Sequence, residues 1–309
     1  MGTIRPGRTR VRIERGWFAA DDGSELACYE AGEPEAPPIV LCGGLGGGFA
    51  VWEPLLERLA PRYRLLGWDY RGLYRSTGTL EDRAGIHEHV QDLRALMRQA
   101  EAEAPILMGW SMGVQVGLEL HRQTPEPLRG FVAIHGAPGR PVSGAFDSTL
   151  AAQLAPPVLS ALRRVGNGLG GFGPTLVRTP GVVRAFVGLA QTLGLMASSM
   201  DRRRFAHIAE EWTRLDFTAY ADLFAALDDH DATDLLPRVK TPTLVVAGGR
   251  DRLTPAHRGE LMARTLPDAE LETLPDATHF GLLEYPDTIG ERVERFLRER
   301  VGPAPASAP

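Results

Sequence analysis

Three residues of this 309-residue chain have the types and the order needed to turn an alcohol into a nucleophile: Ser111, Asp251 and His279. Ser111 lies in Gly109-Trp110-Ser111-Met112-Gly113, a G-x-S-x-G pentapeptide. The apolar run Ile106-Leu107-Met108 feeds it, and a segment of helical spacing follows. On such a tight strand-to-helix turn the hydroxyl is pushed clear of the sheet. A side chain at 109 or 113 would clash as the turn folds back. The helix start brings backbone N–H groups and a positive dipole end to the same spot. A serine hydroxyl attacks a carbonyl only when a base removes its proton, and that base needs an anion to fix its tautomer and stabilise the imidazolium. Asp251 follows an apolar strand, Thr243–Gly248, and His279 lies in the loop after the final strand.

Each member has competitors. Asp276 stands three residues before His279, but its type and place suit a turn closed through its own backbone. The end of the strand Gly130–Ile134 leads into His135-Gly136-Ala137-Pro138-Gly139, which holds no acid. Asp251 is therefore the expected acid. The chain has eight histidines. His87 and His89 flank Glu88, but residues two apart do not share a helix face, so no metal site is expected there or elsewhere. His121 falls late on the helix after Ser111. His135 ends a strand near the site and, with Gly44 and Trp110, is expected to line the substrate pocket.

The stretch Gly43-Gly44-Leu45-Gly46-Gly47-Gly48 lacks the G-K-[ST] of a phosphate loop, and Phe49 occupies the third glycine place of a dinucleotide fingerprint. It is better suited to a close-approach wall beside Ser111. The backbone N–H groups of Leu45 and Met112 are the expected oxyanion donors. Cys28 and Cys42 form no C-x-x-C, and Cys42 ends a buried strand as a small apolar residue.

The elements that must position these groups alternate. Val11–Phe18 and Glu25–Glu30 form strands joined through Asp21-Asp22-Gly23-Ser24. Strands then follow at Ile39–Cys42, Tyr63–Trp68, Ile106 onward and Gly130–Ile134, with helices at Trp52–Leu59, His87–Gln99 and from Met112 to about His121. Wholly apolar strands separated by helices predict right-handed βαβ units and a mostly parallel sheet. From 139 to about 231 the periodicity is helical, with helices expected over Leu150–Val165, Val182–Met196, Phe205–Leu215 and Tyr220–Leu227. The strand pattern returns at Thr243–Gly248 and Glu270–Leu274, with helices Pro255–Arg264 and Thr288–Arg298. The expected division is a core over 1–137 and 232–300, a helical insertion over 138–231 and a disordered Pro/Ala tail over 301–309.

Composition narrows the function classes. Net charge is -5, so nothing suggests a nucleic-acid surface. The basic N-terminal stretch from Arg5 to Arg15 lacks the apolar region of a signal peptide, and no apolar run reaches transmembrane length. A soluble cytoplasmic protein with a small-molecule substrate and no cofactor is expected; oligomeric state is not encoded in any feature of the chain.

With these residues in place, the chain resembles the α/β-hydrolase superfamily in its lid-bearing serine hydrolase branch, over about Val11–Ile134 and Ala232–Leu297. The resemblance rests on Gly109–Gly113, the strand leading to Asp251, the late His279, and Asp69-Tyr70-Arg71-Gly72…Ser76, which is similar to the family's D-x-R-G-x-G-x-S loop. Two positions depart from the pattern: Gly43-Gly44 replaces the usual His-Gly, and Tyr74 stands in place of the second loop glycine. The resemblance implies a mostly parallel sheet with helices on both faces, an inserted helical cap, and hydrolysis of a carboxylic ester or lactone through Ser111. Carbon–carbon bond hydrolysis, acyl transfer and cofactor-free perhydrolysis use the same three residues and stay open, as does a ligand-binding receptor on the same scaffold. The inserted segment is rich in Leu, Val and Ala, with Phe146, Phe172, Phe186, Trp212 and Phe217, which suits a mainly apolar substrate.

Overall fold

The computed structural model describes residues 11–78, 85–123, 128–141, 196–197, 208, 215 and 217–302. Eight strands form one sheet: β1 (Ile13–Ala19), β2 (Glu25–Ala31), β3 (Pro38–Cys42), β4 (Arg64–Trp68), β5 (Ile106–Trp110), β6 (Gly130–Ile134), β7 (Thr243–Gly248) and β8 (Ala269–Leu274). Their spatial order is β1-β2-β4-β3-β5-β6-β7-β8. The pairs β1/β2 and β2/β4 are antiparallel and the rest are parallel. Among the described residues the α-helices are α1 (Glu53–Leu59), α2 (Ile86–Gln99), α3 (Met112–Gln123), α4 (Phe217–Asp229), α5 (Ala256–Thr265), α6 (Gly281–Glu284) and α7 (Pro286–Phe296).

The central strands are apolar throughout because helices cover both of their faces. The period of two then sorts their side chains into two cores. Val40, Leu107, Phe131 and Val245 point to one side, against Val90 and Leu93 of α2, Val114 and Leu118 of α3, and Met262 of α5. Ile39, Met108, Val132 and Leu244 point to the other, against Leu55 and Leu56 of α1 and Ile289, Val293 and Phe296 of α7. Each fully buried Leu, Ile or Val contributes roughly 1.5–3 kcal/mol of burial free energy, so a rigid sheet edge is available on which to mount loops.

The expected helix Thr288–Arg298 begins earlier, at Pro286, behind the short α6, because Pro286 is well placed at a helix start. The expected helix Tyr220–Leu227 falls within α4. The helix expected over 150–165, nearly all of those expected over 182–196 and 205–215, and the residues 303–309 lie outside the described residues. The chain leaves the core beside the point where it returns: Gly139 bridges Asp231, Ala232 N–H donates to Pro138 O at 2.9 Å, and Arg140 N–H donates to His230 O at 3.0 Å. No helix among the described residues is long and apolar enough to cross a membrane.

Candidate active site

Ser111 follows β5 and precedes α3. Its φ is 54°, a left-handed conformation that costs a non-glycine residue about 1–3 kcal/mol. Neighbouring backbone enforces it. A Cβ at Gly113 would lie 2.0 Å from the carbonyl oxygen of Cys42, and one at Gly109 would lie 2.5 Å from Gly113 O. The absence of both side chains lets α3 start directly against β3 and β5. Ser111 N–H donates to Ile134 O at 3.0 Å, which ties the turn to the end of β6.

Asp251 and His279 come from the loops after β7 and β8. Those loops are stitched together: Gly249 N–H donates to Leu274 O at 2.9 Å and Arg250 N–H to Ala277 O at 3.0 Å. The carboxylate of Asp251 is fully enclosed and saturated with donors. Oδ1 accepts from Leu253 N–H at 2.9 Å and Thr254 N–H at 2.8 Å. Oδ2 accepts from Thr254 Oγ1–H at 2.8 Å and lies 2.9 Å from His279 Nδ1. Burial alone would raise its pKa, but the His279 and His135 imidazoles beside it hold the carboxyl well below the usual carboxylate range. An ionised carboxylate only accepts hydrogen bonds, so Nδ1 of His279 carries the proton. Nε2 is then the lone pair, and it faces Ser111 Oγ at 2.9 Å. The chain Asp251–His279–Ser111 is thus complete within hydrogen-bond reach, in the geometry that removes a hydroxyl proton.

The glycine loop after β3 closes the other side. A Cβ at Gly44 would lie 3.0 Å from Ser111 Cβ and 2.8 Å from the Trp110 ring. Three of its carbonyls are occupied. Tyr70 Oη–H donates to Gly43 O at 2.8 Å, Gly47 N–H to Gly44 O at 2.9 Å, and Tyr74 Oη–H to Gly46 O at 2.5 Å. An oxyanion site must present donors and no free acceptors, and these three contacts take up the acceptors around Leu45. Leu45 is partly buried on this loop, and Met112 is the first residue of α3.

Two expected pocket-lining residues sit elsewhere than expected. Trp110 is buried, its ring packed against both Gly44 and Gly47, and its Nε1–H donates to His279 O at 3.1 Å. It supports the glycine loop and the histidine loop from behind. His135 has no exposed side-chain surface; its Nδ1 lies 3.6 Å from Asp251 Oδ2. It faces the carboxylate because its strand, β6, lies between the strands that carry Ser111 and Asp251.

The competitors are accounted for. Asp276 pairs with Arg250 at 2.6 Å, both exposed. Asp69 accepts from Tyr29 Oη–H at 2.7 Å and from Arg75 N–H at 3.3 Å, whereas Arg71, its neighbour two residues on, is engaged by Asp92 and Asp22. His87 and His89 occupy different faces: His89 is buried against the Tyr70 ring, and His87 meets Gln123 at the surface. Cys42 is buried and burial pushes its thiol pKa upward, which leaves it inert. Among the described residues no cluster of three His, Cys, Asp or Glu side chains could hold a metal ion.

Residue reading missed Thr254, Glu284 and the two tyrosines. Thr254 could have been found from its place three residues after Asp251, the spacing at which an aspartate folds back on backbone N–H groups. Glu284 accepts from Thr278 N–H at 2.9 Å, Thr278 Oγ1–H at 2.6 Å and Ala197 N–H at 2.8 Å, and so joins the loop of His279 to a residue between the two halves of the core. No local signal announces it.

A model of the alpha/beta hydrolase fold family matches residues 37–286. RutD of Rhizobium rhizogenes, whose carbamate hydrolase activity is itself a provisional assignment, is 29% identical over 269 residues, covering 86% of this chain and 95% of its own length. A pimeloyl-[acyl-carrier protein] methyl ester esterase of Yersinia pseudotuberculosis is 25% identical over 276 residues, covering 89% of this chain and 98% of its own. Among solved structures, a thermophilic esterase of Thermogutta terrifontis superposes with a TM-score of 0.70 at 25% identity, over 93% of this chain and 98% of that one.

Proposed function

Since the chain belongs to the alpha/beta hydrolase family, we propose that it is a serine hydrolase cleaving a carboxylic ester or lactone of a mainly apolar small molecule through an acyl-enzyme on Ser111. His279 Nε2 takes the Ser111 proton as Oγ attacks the carbonyl carbon. Asp251 holds the Nδ1–H tautomer and stabilises the imidazolium. The N–H groups of Leu45 and Met112 hold the oxyanion, each worth about 3 kcal/mol of barrier. His279 then returns the proton to the leaving alcohol. A water activated by the same imidazole attacks the acyl carbon and frees Ser111. No step calls on a metal or cofactor.

The observation that carries this reading is the unbroken contact chain: 2.9 Å from Ser111 Oγ to His279 Nε2 and 2.9 Å from His279 Nδ1 to Asp251 Oδ2. A ligand-binding receptor has no use for a base aimed at a strained serine. The names of the relatives point to two variants of one acyl chemistry, a methyl ester and a carbamate, which differ in the atom leaving the carbonyl. A panel of p-nitrophenyl esters of rising chain length, one lactone and one aryl carbamate separates them by kcat/KM. Labelling by an active-site-directed fluorophosphonate, lost in Ser111→Ala, is the expected result. A wild-type protein that neither labels nor turns over any member of the panel overturns the proposal.

A further inference from the structure

His135 is an expensive residue to keep where it is. Its φ is 44°, in the left-handed region. Its side chain is wholly enclosed, and among the described residues neither ring nitrogen has a hydrogen-bond partner. An enclosed, incompletely bonded polar ring costs about 1–3 kcal/mol, and the backbone conformation adds to that. The surroundings are shaped to admit it. A Cβ at Gly281 would lie 2.2 Å from its Nε2, and one at Gly248 would lie 2.9 Å from its Cε1, so only glycine at the end of β7 and the start of α6 leaves room for the ring. Its backbone is pinned as well, with N–H donating to Val246 O at 2.8 Å.

What the ring faces is the candidate catalytic carboxylate, Nδ1 to Asp251 Oδ2 at 3.6 Å. That is beyond hydrogen-bond length but well within electrostatic reach in an enclosed site. The same oxygen serves His279 Nδ1 and the Thr254 hydroxyl. The groups around the carboxylate are therefore His279 from the loop after β8, His135 from the end of β6, and Leu253 and Thr254 from its own loop. Behind the histidine loop, Glu284 of α6 is taken up by Thr278 and Ala197.

We propose that His135 is a positioning residue: its Nδ1–H points at Asp251 Oδ2, so one carboxylate serves two imidazoles and His279 is a weaker base than it would be with Asp251 to itself. This rests on the serine hydrolase reading above. The sign follows from charge. A positive dipole end beside Oδ2 withdraws part of the anion that stabilises the His279 imidazolium, which lowers the proton affinity of His279 and lets the triad stay deprotonated to lower pH. The low pKa of Asp251, to which both imidazoles contribute against the effect of burial, agrees with two imidazoles acting on it.

The test compares pH profiles of kcat/KM for p-nitrophenyl acetate in wild type, His135→Phe and His135→Asn. Phenylalanine keeps the ring and deletes both nitrogens. Asparagine places an amide N–H near the position of Nδ1 and tolerates the left-handed backbone. The acidic limb is expected to move up by about half a pH unit or more in His135→Phe and to return toward wild type in His135→Asn. A limb that does not move in His135→Phe, moves down, or is equally displaced in both variants overturns the proposal. Should His135→Phe fail to fold, the ring-nitrogen shifts of 15N-histidine-labelled wild type, assigned against His135→Asn, give the answer directly. Protonated Nδ1 across the active pH range supports the proposal and a lone pair on Nδ1 refutes it. Absence of fluorophosphonate labelling in wild type would instead refute the hydrolase reading, and the tautomer measurement does not depend on it.

Discussion

Asp251→Asn tests the triad more sharply than deletion because the structure dictates which way the new amide must face. Oδ1 of Asp251 accepts two backbone N–H groups, from Leu253 and Thr254. An amide NH₂ cannot take that place without setting donors against donors, so the amide oxygen is held there. The NH₂ is then forced into the Oδ2 position, 2.9 Å from His279 Nδ1. It donates to Nδ1, which must become the lone pair, and the ring proton moves to Nε2. Nε2–H now points at Ser111 Oγ as a donor and cannot take its proton. The Thr254 hydroxyl and the His135 ring, which also face this position, can turn or change tautomer whereas the two backbone N–H groups cannot, so with shape and packing kept the loss is chiefly one of the His279 tautomer, about 10⁴-fold in kcat, or about 5.5 kcal/mol of barrier. Steady-state kcat on p-nitrophenyl acetate reads the loss, and the melting temperature checks that the fold is kept. A loss of less than tenfold would refute the assignment of Asp251. An equal loss in Asp276→Asn, whose carboxylate is exposed and paired with Arg250, would do the same.

Other outcomes follow from the same geometry. Ser111→Ala and His279→Ala should each abolish turnover, with a melting temperature close to that of wild type in Ser111→Ala and a lowered one in His279→Ala, whose buried ring packs on Trp110 and bonds the enclosed Asp251 carboxylate; retained turnover in either removes that residue from its role. Gly113→Ala should lower stability by about 1–3 kcal/mol and depress kcat/KM, because its Cβ would sit 2.0 Å from the Cys42 carbonyl and α3 would have to move off β3; an unchanged denaturation midpoint is the contrary result. His89 makes a pH prediction. Burial, with a smaller push from the Arg71 guanidinium, lowers its pKa to about 3 from the ordinary value of 6.5. Between those values the unfolded chain binds a proton that the folded chain refuses, so stability is full above about 6.5 and falls as pH drops, by up to about 1.4 kcal/mol per unit. Denaturant midpoints from pH 6.5 to 4.5 should therefore fall less steeply in His89→Phe than in wild type, and parallel slopes would count against the burial argument.

Much of this molecule is written locally. Apolar four- to five-residue runs such as Ile39–Cys42 and Leu244–Gly248 name strands covered on both faces, because no other solvent-excluded element is so short. The glycines of the Ser111 turn are legible because a Cβ there would meet backbone. What escaped is what depends on the order of strands in space. His135 reads as a pocket residue from its strand end; only the placement of β6 between β5 and β7 turns it toward Asp251. For Asp69 two partners are open on the sequence, Arg71 or a loop N–H; a loop N–H, that of Arg75, does bond it, while the hydroxyl of Tyr29 on β2 and the pairing of Arg71 with Asp92 of α2 are long-range and have no local signal. The role of Tyr74 escaped for the same reason, since its hydroxyl finds the glycine loop 28 positions earlier in the chain.

That last contact has a wider meaning. Tyr70 and Tyr74 bind the oxygen ends of two peptides, those of Gly43 and Gly46, and the Tyr220 ring of α4 packs against Gly46, 2.9 Å from where a Cβ would be. Two phenol hydroxyls thus fix the polarity of a wall that contains neither of them. Changing either tyrosine would alter which charges that wall welcomes, and so which reactions the scaffold favours, without changing a residue of the wall itself.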